Sequence, residues 1–352
     1  GLLFVLPGLA VILGLSTLYA YYHEVGWVAG LFFGLKAAIL AIVVEAVVRI
    51  GRRALKTRFH RWVALIAFLS LFALALPFPL VVLMAGLAGL AEARILVRNA
   101  NEDGPAEAAP VGAGAGRRRL TRSLAALLFW LLVWQAPLVP LWLLAGEGGL
   151  SDIFAFFSRM ALVTFGGAYA VLAYVAQVAV VGFHWLRPGE MLDGLALAET
   201  TPGPLVLVLS YVGFLAGFRE AGALPAPAGG LLGGLLAAWA TFVPSFIWIF
   251  AGAPHVERLR GNRMITAALS AITAAVVGVI LNLAVWFALH VLFARVDQVR
   301  TWSFPSSVAD GSQRPVLQLS LPGPDLASLD PAALALALFS AVMIFVLRQG
   351  MG

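Results

Sequence analysis

The chain has no cysteine in 352 residues, which removes disulfides, thiolate metal sites and thiol redox chemistry at once. It is almost as short of charge. Asp, Glu, Lys and Arg make up 11% of it against 62% hydrophobic residues, and the mean hydropathy is +0.97. That balance excludes an ordinary soluble domain. The five histidines, at 23, 60, 184, 255 and 290, are scattered and form no His-Glu-x-x-His pair. There is no Gly-x-Ser-x-Gly and no Gly-Lys-Ser/Thr phosphate loop, so no catalytic residue, metal or cofactor is expected. An intramembrane hydrolase using Asp193 or Glu199 is the enzyme reading that these absences argue against. Gly1 opens straight into an apolar run with no basic stretch before it, so no cleavable secretion signal is visible.

What is present is a succession of apolar runs of ~20 residues, the length of a membrane-crossing helix. The fold expected is an all-α polytopic membrane protein whose first partner is the lipid bilayer. The net charge of +6 is placed at the ends of these runs, as the positive-inside rule requires, and is not read as nucleic-acid binding. Gly1 to Tyr22 and Val28 to Val48 can each span, and the loop between them, His23 to Trp27, has no Lys or Arg. Arg49, Arg52, Arg53, Lys56, Arg58 and Arg61 follow with no acid among them, which assigns that loop to the cytoplasm. Val63 to Ala91 is interrupted by Pro77-Phe78-Pro79 and flanked by bases on both sides. It reads as two legs of ~14 residues, each too short to cross.

Asn99 to Gly116 is rich in Gly, Ala, Pro and acid and reads as a flexible linker. Three parts follow: an incomplete N-terminal repeat at 1–98, a cytoplasmic linker at 99–122, and a C-terminal repeat at 123–352. In the last, Ser123 to Leu144 spans, Leu231 to Phe250 spans with Pro244 inside it, Met264 to Phe293 spans, and Pro331 to Leu347 is a final helix. Val299 to Asp330 is a polar extramembrane stretch.

Two runs are broken. Ile153 to Val181 is interrupted at Phe165-Gly166-Gly167, and Met191 to Phe218 at Glu199-Thr200-Thr201-Pro202-Gly203-Pro204. Two prolines and a glycine in succession cannot continue an α-helix, and a glycine pair weakens one. Inside a bilayer, non-helical backbone survives only where protein or a water-filled cavity surrounds it. Such breaks are where transporters build their sites, unless they are plain connectors at the surface. Thr201 is the expected N-cap and Pro202 the first helical residue of the second run, leaving Gly203 and Leu205 as N–H donors. Thr164 is the expected N-cap of the other break, exposing the N–H groups of Gly166, Gly167, Ala168 and Tyr169. A helix start of this kind favours an anion. Thr200 and Thr201 add hydroxyls. Lys36, Asp193, Glu199 and Arg159 are the candidate charge or coupling groups, with snorkelling and interfacial anchoring as the plain alternatives for Lys36 and Arg159. Glu199 either pairs with Arg159 or Arg187, or takes up a proton and couples it to transport.

Shifting the sequence by 237 positions sets Phe4-Val5-Leu6-Pro7 on Thr241-Phe242-Val243-Pro244, and Lys36 to Val43 on Thr273 to Ile280. By the charge rule these copies point in opposite directions, the inverted repeat of secondary transporters. Phe165-Gly166-Gly167-Ala168-Tyr169-Ala170-Val171-Leu172, then Leu192 to Pro204, then Arg260-Gly261-Asn262, resemble the chromate transporter family. The resemblance covers residues 151 to 295, with residues 1 to 91 similar to the later part of the family's first repeat. It implies two inverted repeats with broken or re-entrant helices, and a bacterial inner-membrane protein exporting chromate, coupled to protons or to sulfate. The first copy's own Phe-Gly-Gly and Pro-Gly-Pro motifs are absent before Phe165. The repeat offset puts that glycine motif ~72 residues upstream of Gly1, so ~80–100 residues are expected to precede this chain. A transporter of sulfate or another anion and a non-transporting scaffold or half-transporter remain the alternatives. Oligomeric state is open, with a homodimer one option.

Overall fold

A computed structural model describes residues 2–100, 116–144, 149–163, 167–220, 222, 224–252, 262–307 and 313–347. Helices come first: α1 (Leu2–Tyr22), α2 (Gly26–Ala54), α3 (Arg58–Phe72), α4 (Phe78–Ala100), α5 (Gly116–Gln135), α6 (Leu138–Leu144) and α7 (Gly149–Val163). Next come α8 (Ala168–Ala176), which runs on into a π-helical turn at Gln177–Gly182, α9 (Pro188–Thr200), and a 3-10 turn at Leu205–Leu207 leading into α10 (Val208–Glu220). The rest are α11 (Ala226–Ile247), α12 (Arg263–Leu292), strands β1 (Val296–Ser307) and β2 (Gln313–Pro324), and α13 (Pro331–Phe345). Among the described residues six helical segments are long and apolar enough to cross a membrane, which makes the chain a multi-pass membrane protein.

By its internal contacts the chain divides into two compact units drawn from alternating segments. The first takes Gly1–Ala20, Leu87–Thr164 and Thr201–Leu269. Its centre is α10, on which Val208 to Gly217 are buried without interruption. α10 meets α11 backbone to backbone. A Cβ at Gly213 would stand 2.5 Å from the Gly233 carbonyl oxygen, and one at Gly217 would run into the Gly229 carbonyl oxygen. Small residues at such a seam let two membrane helices approach closely. α5 is clasped to α11 by two indoles: Trp134 Nε1 donates to the Ala240 carbonyl at 3.1 Å, and Trp239 Nε1 to the Val133 carbonyl at 3.1 Å.

The second unit takes Tyr21–Gly86, Phe165–Thr200 and Ser270–Gly352. Its centre is α9, buried from Glu190 through Ala198. α2 packs against α9 and α13. α3 lies so close to α12 that a Cβ at Gly278 would strike the Ala64 carbonyl oxygen. α2 and α3 join through a three-residue turn in which the Thr57 hydroxyl accepts from the His60 N–H at 3.1 Å and caps α3.

Two local expectations need correcting and two stretches gain detail. α4 is 23 residues long and reaches Ala100, so the second leg of the 63–91 segment is not a short one. Glu92 and Arg94 are good helix formers, and the helix continues past the residues where apolarity ends. The 299–330 stretch is an antiparallel hairpin of β1 and β2 paired from Val296↔Pro324 to Ser307↔Gln313, a feature added to the all-α fold. Ser123 to Leu144, of which Leu124–Leu141 is a candidate span as expected, comprises α6 and most of α5, parted at Ala136-Pro137 because proline cannot donate to the preceding turn. The helix after Glu199 does not start at Pro202. Gly203 has φ +136° and Pro204 occupies the cap position of the 3-10 turn. The residue before a proline is driven out of the α region, so Gly203 cannot be helical ahead of Pro204.

Under the 237-position offset several features of the helices fall on one another. Gly26 and Ala54, the ends of α2, fall on Arg263, the first residue of α12, and on Val291, one short of its last. Pro7 inside α1 falls on Pro244 inside α11. Beyond α2 the copies diverge, because the positions matching α3 are occupied by β1.

Candidate functional site

A helix buried on all sides ordinarily carries no charge. α9 carries three carboxylates. At its start Glu190 is the third helical residue and its Oε2 accepts from the Arg187 N–H at 2.7 Å, the returning half of a capping box. One turn on, Asp193, 3% exposed, receives Lys36 of α2, with Nζ 3.1 Å from Oδ2. At its last turn Glu199, half-buried, accepts at Oε1 from the Tyr169 hydroxyl of α8 at 2.6 Å. Glu45 and Arg49 of α2, themselves 3.4 Å apart, lie within electrostatic reach of that hydroxyl.

The Lys36–Asp193 pair answers two sequence expectations together. Lys36 sits eleven residues into α2 and reaches inward to a carboxylate instead of snorkelling outward. A charge pair inside a membrane span is costly to desolvate, so it is weak evidence for stability and a candidate for function. The arginine pairing expected for Glu199 is not found among the described residues. Its recorded partner is a hydroxyl; Arg159 is exposed on α7, and Arg187 gives its backbone N–H to Glu190. Both guanidiniums stay at exposed positions, where water solvates a charge better than a buried partner would.

Of the Phe-Gly-Gly motif, Phe165 and Gly166 lie outside the described residues, as does Thr164. The N-cap of α8 is Gly167, with φ +101° and ψ 177°, a conformation that strains any residue with a Cβ. Its carbonyl accepts the Val171 N–H at 3.4 Å, so the Ala168 and Tyr169 N–H groups open the helix. Thr200 turns its hydroxyl back to the carbonyls of Ala196 and Leu197, at 3.0 and 3.1 Å, and so finishes α9. In the first unit Thr201 is buried, Pro202 and Gly203 are exposed, and Pro204 accepts the Leu207 N–H at 2.9 Å.

Sequence reasoning passed over Gly8. A Cβ there would stand 2.5 Å from the Pro202 carbonyl oxygen and 3.5 Å from Gly203 Cα. α1 therefore lies directly on the Pro-Gly-Pro turn. The available signal was the Pro7-Gly8 pair itself, a place where a second backbone can come close. Glu190 was also passed over; its position three residues after Arg187 is the capping spacing. Among the described residues no group of three His, Asp or Glu side chains is arranged to hold a metal.

A family model described as "Chromate transporter" matches residues 1–90 and 151–350. A chromate transport protein of Pseudomonas aeruginosa is 31% identical over 284 residues, which is 80% of this chain and 61% of the relative. One from Cupriavidus metallidurans is 23% identical over 301 residues, with the same two shares. A probable chromate transport protein of Synechococcus elongatus is 25% identical over 284 residues, 80% of this chain and 63% of its own. The chain thus spans about three-fifths of the length of these relatives. No solved structure matches it.

Proposed function

The chain belongs to the chromate transporter family, and from that premise we propose that it carries chromate or a related tetrahedral oxyanion, such as sulfate, out across a bacterial inner membrane. The observation that carries the reading is α9, a helix buried from Glu190 through Ala198 whose Asp193 and Glu199 are each met by a side chain from another helix. Partnered ionisable groups at membrane depth mark ion and proton pathways. The oxyanion is a dianion without an apolar part, so its site needs N–H and O–H donors and freedom from competing negative charge. In the second unit the N–H groups of Gly167, Ala168 and Tyr169 are such donors, and in the first unit, taken by itself, those of Gly203 and Leu205 are. Phe165, Gly166, Thr200, Thr201, Pro202, Gly203 and Pro204 complete the family's motifs.

Glu199 sits at the C-terminal, negative end of α9, where an ionised carboxylate repels a dianion. Proton uptake at Glu199 removes that repulsion, and we assign it the coupling role. Lys36 and Asp193 form a charge pair, and Arg159 is assigned the role of attracting the anion. The repeat at 1–98 and the one at 123–352, joined by the 99–122 linker, are inverted copies; the coincident ends of α2 and α12 support this. The substrate leaves chemically unchanged, so no enzymatic turnover is part of the reading, and a homodimer is compatible with it.

Purified protein in proteoliposomes tests the proposal. Labelled chromate should enter with saturable kinetics and be competed by sulfate. Conversion of chromate to another species, or flux no greater than through protein-free vesicles, would refute it.

A further inference from the structure

The turn between α2 and α3 has a charge imbalance that the transport reading does not use. Arg52 and Arg53 stand in the last turn of α2, Lys56 in the connection, and Arg58 and Arg61 in the first turn of α3, and all five are exposed. The sequence has no Asp or Glu between Glu45 and Glu92, and Glu45 is engaged by Arg49. Among the described residues none of the five bases is in an ion pair. The bases are held in place rather than loose. The Leu55 N–H bonds the Gly51 carbonyl at 2.9 Å, Thr57 caps α3, and α3 packs tightly on α12. Five like charges fixed within ten positions repel one another unless an anion lies among them.

We propose that this turn is a binding site for the headgroups of anionic phospholipids. α2 is a candidate span, so its end lies at the level where lipid phosphates lie. Trp62, one turn into α3 from Arg58, is 62% exposed, and an exposed indole beside a basic cluster suits the membrane interface better than free solution. Guanidiniums grip phosphate through paired N–H donors, and the neighbouring indole rests among the glycerol and upper acyl carbons. A soluble polyanion would match the charge and leave the indole in water.

The test uses the whole chain, solubilised with equal amounts of phosphatidylglycerol and phosphatidylcholine, and native mass spectrometry to identify the lipids retained. The expected preference for phosphatidylglycerol is roughly tenfold or more, each base near an anionic surface being worth roughly a fivefold factor when it is not screened. Replacing all five bases by Gln should abolish the preference, and Arg→Lys at positions 52, 53, 58 and 61 should keep most of it. Equal retention of the two lipids by the native chain, or an undiminished preference in the Gln variant, overturns the proposal. Should the Gln variant fail to fold, the native chain decides alone, because an electrostatic site must lose selectivity as salt is raised to about 1 M. Selectivity indifferent to salt counts against the site. Displacement of the lipid by equimolar inorganic phosphate would mark it as a free-phosphate site and also overturn the assignment.

Discussion

Tyr169 and Glu199 are thirty residues apart in sequence and 2.6 Å apart between oxygens. Both were legible as candidates, one from the Phe-Gly-Gly run and one from its place before the Pro-Gly-Pro break. Their pairing was not, because nothing in a one-dimensional pattern says which way a half-buried side chain turns. The same holds for Lys36 and Asp193. Each was conspicuous as a charge in an apolar run, and only the packing of α2 on α9 joins them. Their pairing makes a prediction at this scale. Lys36→Met strands a carboxylate that is 3% exposed, and loss of one member of a buried pair costs about 3–5 kcal/mol. The double variant Lys36→Met, Asp193→Leu removes both charges and should recover most of the loss. Melting of the purified variants followed by tryptophan fluorescence gives the comparison; a double variant no more stable than Lys36→Met would contradict the pairing.

At the scale of elements, apolar periodicity and charge placement were enough to locate α1, α2, α11 and α12, since a span of fixed thickness demands a run of fixed length. They misjudged α4, where the helix outlasts the apolar run, and could not foresee the β1–β2 hairpin, whose residues offered only polarity. Glycine positions separate by what faces them. At the α10–α11 seam, Gly233 stands against the Gly213 carbonyl, so Gly233→Val should force the helices apart and deplete folded protein. Gly30 is exposed with nothing near it, and Gly30→Ala should raise helix stability by about 1 kcal/mol. Size-exclusion profiles of the two variants should diverge accordingly, and similar profiles would remove the seam from the account. The Pro-Gly-Pro turn gives a functional contrast. Gly203→Val pays for a φ of +136° with about 1–3 kcal/mol of strain, in a turn that α1 overlies at Gly8. The expected outcome is membrane protein at normal amount with chromate flux lost. Normal flux would exclude the turn from the transport path.

At the scale of the whole molecule, composition alone established a multi-pass membrane protein. The division into two units was illegible because each unit gathers segments that are far apart in the sequence. The proposed inverted repeat, by contrast, rests on the sequence offset that carries α2 onto α12. It predicts sidedness. The chain has no cysteine, so single cysteines label against a clean background. Lys56→Cys and Arg258→Cys should react with an impermeant maleimide from the cytoplasmic side, and Glu147→Cys and Asp310→Cys from the other. Labelling of positions 258 and 310 from one side would dismiss the inversion.

Chromate flux driven by a pH gradient, compared between the native protein and Glu199→Gln in the same vesicles, reaches the centre of the account. The native protein should move chromate in proportion to the gradient. The Gln variant, permanently neutral beside Tyr169, should still move chromate down its own concentration gradient and no longer respond to pH. Normal flux with an unaltered response to pH in Glu199→Gln would contradict the coupling role, and an absence of flux in the native protein would contradict the proposed function itself.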